Sequence, residues 1–139
     1  MGIRDQNLEA LGAMYATFNI KQTAGVDDLK DIDIGKAVTV TSGYQAGPTT
    51  DNSVFIGKLV DLTLTDAENG KRVATVQIKG VMTVSITTTN PVVGNRVVGG
   101  ASGTVKQAPA LGASDPAGGN IARGTVIAVN GTTDCTIVM

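Results

Sequence analysis

The chain has no histidine and no tryptophan, a single cysteine, and only four aromatic rings, Tyr15, Phe18, Tyr44 and Phe55, in 139 residues. Each scarcity excludes something. Without histidine there is no easy proton shuttle near neutral pH, no imidazole metal ligand, and no Ser-His or Cys-His nucleophile pair. A lone Cys135 cannot form an internal disulfide, so the fold does not depend on an oxidising compartment. Eleven basic and twelve acidic residues leave a net charge of -1, with no block of either sign. Nucleic acid is therefore not an expected partner, because neither a counterion-releasing basic patch nor a set of stacking rings is present. No run approaches the roughly eighteen apolar residues of a membrane span, and no charged, apolar leader opens the chain. No membrane partner is expected, and synthesis in the cytoplasm is.

Catalytic and cofactor motifs are equally scarce. There is no G-x-S-x-G elbow and no P-loop. Gly94 to Gly103 is rich in glycine but does not match a dinucleotide fingerprint, and turns explain it better. Asp27, Asp28, Asp31 and Asp33 crowd one connector without the ligand spacing, sixth-position glycine or closing glutamate of a calcium loop. No catalytic residue, cofactor or metal site is assigned, and the protein is not expected to be an enzyme.

What the chain does have is alternation. Val73 to Thr87 reads V-A-T-V-Q-I-K-G-V-M-T-V-S-I-T, with Ala74, Val76, Ile78, Met82, Val84 and Ile86 on one face and mostly polar residues on the other. That period of two is a β-strand with one buried face. A straight strand of this length would run about 50 Å, too long for a compact domain of this size, so it must bend, and Gly80 is the corner. Shorter alternating runs follow the same rule: Ala37 to Thr41, Val54 to Thr65, Arg96 to Val98, Thr104 to Gln107, Ala122 to Val129 and Asp134 to Met139. Asn69-Gly70 and Asn130-Gly131 supply hairpin turns, and Gly94-Asn95 and Gly99-Gly100 supply others. Ser42 to Ser53 and Ala108 to Asn120 read as loops. Cys135 alternates with Ile137 and Met139, which makes it a packed small hydrophobe. The sequence also echoes itself: I-G-K-L-V-D before A-T-V-Q-I at Ala74 to Ile78 parallels R-G-T-V-I-A before C-T-I-V-M, predicting two similar hairpins facing each other across the core.

These patterns predict an all-β, small single-domain β-barrel or β-sandwich over residues 35 to 139, preceded by a non-β N-terminal arm and connector over residues 1 to 34. Leu8, Leu11, Tyr15 and Phe18 are spaced to stripe one face of a short helix. The arm either packs on its own domain or docks on a neighbouring molecule. Because it holds half of the aromatic residues, Ile3, Leu8, Leu11, Met14, Tyr15 and Phe18 are the candidate partner-contact residues.

The order of the segments I-G-K-A-V, I-G-K-L-V-D, V-A-T-V-Q-I-K-G-V-M-T-V, N-P-V-V-G-N-R-V-V-G-G-A-S-G-T-V and A-R-G-T-V-I-A-V resembles the small capsid decoration proteins of tailed bacteriophages, over about Gly35 to Met139. Asn95 departs from that pattern, standing where an aspartate is often found. The resemblance implies a structural cement protein, commonly a homotrimer, that binds the major capsid protein on the outer face of the virion and reinforces contacts between shell subunits. Two alternatives remain: a carbohydrate- or peptide-binding module using the two loops, and a tail or baseplate component of the same kind of particle.

Overall fold

A computed structural model describes residues 11–63, 72–87, 90–113 and 121–139, and in it the long alternating run is broken at Gly80. Twelve strands lie among the described residues: β1 Met14–Ile20, β2 Gln22–Thr23, β3 Val26–Asp27, β4 Ala37–Ser42, β5 Gln45–Pro48, β6 Gly57–Leu62, β7 Val73–Lys79, β8 Val81–Ser85, β9 Val97–Gly100, β10 Thr104–Gln107, β11 Thr125–Asn130 and β12 Asp134–Val138. Gly80 lies between β7 and β8 at φ +101, where an alanine Cβ would stand 2.6 Å from the Leu11 carbonyl oxygen. Only glycine fits both the dihedral and the space. The two halves of the run consequently enter different sheets.

The first half closes into a barrel in the order β1-β5-β4-β6-β7. The second half repeats that order. β9 pairs with β10, β11 with β12 and β12 with β8, while single bridges, Ile86 to Val105 (parallel) and Val97 to Arg123 (antiparallel), join β8 to β10 and β9 to the start of β11. Those bridges match the parallel β1–β5 pairing and the antiparallel β4–β6 pairing of the first barrel.

The agreement extends to individual hydrogen bonds. Gly35 N–H donates to Leu59 O at 2.7 Å and Gly94 N–H to Val126 O at 2.8 Å; Leu59 N–H returns to Lys36 O, and Val126 N–H to Asn95 O, both at 2.9 Å. Lys21 N–H donates to Ala46 O as Thr87 N–H does to Val105 O, and Thr49 N–H to Ala37 O as Ala108 N–H does to Arg96 O. A bulge falls between Leu59 and Asp61 on β6, and another between Val126 and Ala128 on β11, each starting two positions after a glycine, Gly57 at the start of β6 or Gly124 just before β11. The chain is therefore an internal duplication at the level of backbone hydrogen bonding. The echo between the two hairpins is real, but each hairpin belongs to its own barrel, so the expectation that they face one another across one core is corrected.

Two apolar clusters fill the barrels. Ile20, Leu29, Val38, Ala46, Leu59, Leu62, Ala74 and Val76 form one, and Met82, Val84, Ile86, Val97, Val105, Val126, Cys135 and Ile137 form most of the other. Ala37 and Phe55 come from the first half of the chain and complete the second cluster, which welds the barrels into one small domain.

The all-β reading holds, the described residues adding to the strands a short 3-10 turn at Asp31–Asp33. The non-β arm does not. From Met14 the predicted helix is strand β1, whose residues pair with β7 from Met14 with Lys79 to Asn19 with Val73. In M-Y-A-T-F-N-I, Ile20 is buried and Ala16 and Phe18 half-buried, while Tyr15, Thr17 and Asn19 face out, so the barrel wall imposes period two on a sequence that could also be spaced as a helix. The loop expected over Ser42 to Ser53 contains β5, and the turn expected at Gly99-Gly100 lies within β9. The Asn69-Gly70 turn lies outside the described residues.

Gln77 falls on the mostly polar face of the alternating run, yet it is buried. Its Nε2 donates to Lys79 O and to Val81 O, both at 3.1 Å, and so clamps the chain on either side of Gly80. Gln77→Leu keeps the volume and removes both donors. Stripping a buried carbonyl of its partner costs about 1–3 kcal/mol. The variant should therefore show a lower urea midpoint with an unchanged m-value. An unaltered midpoint would mean the clamp contributes nothing.

Candidate contact surface

The polar side chains of the described residues are largely engaged in holding the frame. Of the four connector aspartates, Asp27 accepts from Gln22 Nε2 at 2.8 Å, Asp28 lies 3.8 Å from Lys21 Nζ, Asp31 binds Arg72 at 2.6 Å, and Asp33 binds Lys36 at 2.9 Å. Burial raises the Asp33 carboxyl, but hydrogen bonds from the Lys36 side chain and the Lys30 N–H, with the charges of both lysines, outweigh it and hold the group below its ordinary value. Among the described residues no group of three or more His, Cys, Asp or Glu is arranged to hold a metal ion. Cys135 sits in the second core, where desolvation, with a contribution from Asp134, pushes its pKa up to about 12. Such a thiol is a packed hydrophobe at physiological pH.

Two clefts open at corresponding ends of the barrels, beside the equivalent residues Ile20 and Ile86. One, about 250 Å³, is lined by Asn19, Gln22, Asp27, Gln45 and Arg72; the other, about 460 Å³, by Thr87, Asn90 and Thr132. In the first, Arg72 is tied to Asp31 and to Thr63 O, and Gln22 to Asp27, so its polar groups already serve one another.

The surface that stands out is apolar. Of the six candidate contact residues, Ile3 and Leu8 lie outside the described residues. Leu11, Met14 and Tyr15 are each more than half exposed, whereas Phe18 packs against the first core. The segment carrying the exposed three passes the Gly80 corner: Leu11 O accepts from Val81 N–H at 3.1 Å, and Met14 and Tyr15 face Lys79 and Gln77 across the sheet. Val138, paired with Val81, is partly exposed beside them. The structure thus places Leu11, Met14 and Tyr15 close together in the chain beside the junction of the barrels, Met14 and Tyr15 at the start of strand β1 and Leu11 in the turn before it, rather than as a helix stripe.

No family model, curated protein or solved structure matches this chain. What it matches is itself, and the duplication exposes residues that the alternation alone did not mark. Ile34 and Val93 occupy equivalent places before the positive-φ glycines Gly35 and Gly94, and both are exposed. Tyr44, 83% exposed, sits at φ 58 in the turn between β4 and β5, the place that Gly103 takes between β9 and β10. The signal for Tyr44 was present in the sequence as the one ring in either predicted loop. Nothing in the sequence marked its counterpart.

Proposed function

We propose that this protein is a capsid decoration (cement) protein of a tailed bacteriophage. In this reading it is made in the host cytoplasm, binds the outer surface of the assembled head as a homotrimer, and stabilises contacts between major capsid subunits. The observation that carries the reading is the exposure of Leu11, Met14 and Tyr15 beside the barrel junction, on a body whose polar groups are largely occupied in holding strands together. A cement protein needs that combination: a stiff β-frame and a few anchors that lose water on docking. The segments that carry the resemblance to the decoration family, I-G-K-A-V, I-G-K-L-V-D, V-V-G-N-R-V and A-R-G-T-V, lead into strands β4, β6, β9 and β11, so the likeness lies in the frame.

The test is shell occupancy. Purified protein mixed with empty capsids should co-sediment to a fixed number of copies per shell and raise the temperature at which the shell dissociates. Replacing Leu11, Met14 and Tyr15 together by serine should lower the apparent affinity about 100-fold or more, since central apolar anchors are commonly worth about 1–2 kcal/mol each. The melting temperature of the free protein should hardly change, because all three side chains are exposed. Unchanged occupancy would sink the anchors. Binding only to purified tails, or only to a glycan or peptide, would replace the whole reading with one of the two alternatives.

A further inference from the structure

The turn that joins β11 to β12 carries a reactive pair that the frame does not use. Asn130 ends β11 opposite Asp134, and its carbonyl accepts from Thr133 N–H at 3.1 Å, so main-chain bonds hold the turn. The Asn130 side chain is exposed and makes no hydrogen bond with any described residue. Gly131 follows at φ +56, and its N–H takes part in none of the main-chain bonds among the described residues of the turn. A Cβ built on Gly131 would meet nothing within 4 Å, so the approach to the peptide nitrogen is open.

The other described asparagines each lack one of these features. Asn95 Oδ1 accepts from Val92 N–H at 2.8 Å, and Asn52 Nδ2 lies 3.5 Å from Asp51. Asn19 precedes the buried, β-branched Ile20, and Asn90 precedes Pro91, which has no N–H to lose.

We infer that Asn130 is a site of self-modification, at which the peptide nitrogen of Gly131 attacks the Asn130 side-chain carbonyl carbon. The new N–C bond closes a succinimide ring, and the Gly131 proton departs with the side-chain NH2 group as ammonia. Water then adds to one of the two ring carbonyls and opens it, leaving either aspartate or isoaspartate. Water is the co-reactant, and nothing is oxidised or reduced. Nucleophile and electrophile sit on adjacent residues, so the step needs no encounter. Glycine offers no side chain to crowd it.

The position of Asn130 gives the change a structural consequence. Either product sets a carboxylate opposite Asp134, and like charges directly opposed across a ladder repel. The iso form also adds a carbon to the main chain where Thr133 N–H meets Asn130 O. The event is one-way and falls on the barrel held at two of its seams by single bridges, so it acts as a clock that loosens the second barrel with age. Neither the chemistry nor its test rests on shell binding.

The experiment uses the full folded chain, kept in warm, mildly alkaline buffer, sampled over days and digested with trypsin. Cleavage after Arg123 releases Gly124 to Met139, in which Asn130 is the one amide side chain, so the Asn69-Gly70 pair is read separately. That peptide should gain the mass difference between an amide and an acid, at a rate within a few-fold of that in the urea-unfolded chain. It should also resolve into two products, with the iso form in excess. Asn130→Gln, which would need a larger and slower-forming ring, should gain nothing over the same period. Asn130→Asp supplies one product directly; its urea midpoint should fall below that of the wild type, and adding Asp134→Asn should recover it. A folded chain that gains no mass while the unfolded chain does, a single product, or an Asn130→Asp midpoint equal to that of the wild type would each overturn the inference.

Discussion

Replacing Gly57 by alanine is expected to cost about 4 kcal/mol or more, the extreme of what a single methyl group does. The new Cβ would stand on the carbonyl oxygen of Gln77, with Gln77 C and a Val76 methyl each 2.9 Å away. Two of these three atoms are backbone, so no rotamer change relieves the contact. Nor can either strand give way. β7 is paired on its other side with β1, and Gln77 is anchored by its own clamp across the Gly80 corner, while Gly57 itself pairs with Val38 on β4. The alanine therefore pries the β6–β7 ladder apart where the barrel closes. Gly43→Ala is the control: its Cβ would meet nothing within 4 Å, and its φ lies outside the left-handed range. There alanine should be neutral or stabilise by about 0.4–1 kcal/mol through the unfolded chain. Urea midpoints for the two variants and the wild type decide the matter. A Gly57→Ala protein within about 1 kcal/mol of wild type would show that the strands have more play than their pairing implies.

The same residues explain which parts of the fold could be read from the sequence. The longer strands with valine, leucine, isoleucine or threonine at half or more of their positions, β4, β6, β7, β8, β11 and β12, declare themselves by composition and by the period of two in their sequences. β5, with the sequence Q-A-G-P, has no β-branched residue, and its place between β1 and β4 is fixed by neighbours rather than by propensity. β1 was misread because Leu11, Tyr15 and Phe18 also fit a helical spacing, and tertiary pairing, not local preference, chose between the two. Gly99 and Gly100 look like a turn in the sequence. In the fold they are strand residues whose missing side chains admit Ser53 and Thr87. The duplication was visible only at the second hairpin of each half, where G-K-L-V-D and G-T-V-I-A keep similar side chains. Elsewhere, as at G-K-A-V and G-N-R-V, the side chains have diverged and only the backbone bonds preserve the correspondence.

That divergence makes the two barrels unequal, and Phe55→Ala should expose the inequality. Phe55 is fully buried, contributed by the first half of the chain to the core of the second. Truncating a buried phenylalanine to alanine costs about 3–5 kcal/mol, through lost burial and the cavity left behind. Here the loss falls on the barrel least able to bear it. The first barrel closes with β1 and β7 paired over six positions and with two residue pairs at each of the β1–β5 and β4–β6 seams, whereas the second is held at the two equivalent seams by the single bridges Ile86 to Val105 and Val97 to Arg123. The cavity should therefore loosen β8 to β12 while β1 and β4 to β7 stay closed, turning one cooperative transition into two. Hydrogen exchange distinguishes this from a uniform weakening. Amides of Met82, Val84, Val126 and Ile137 should lose protection well before those of Ala16, Val38, Leu59 and Val76. Leu59→Ala, in the first core, should cost a similar amount without that order of loss. Equal loss across both sets in Phe55→Ala would mean that the barrels open together and that Phe55 packs against a single cooperative core.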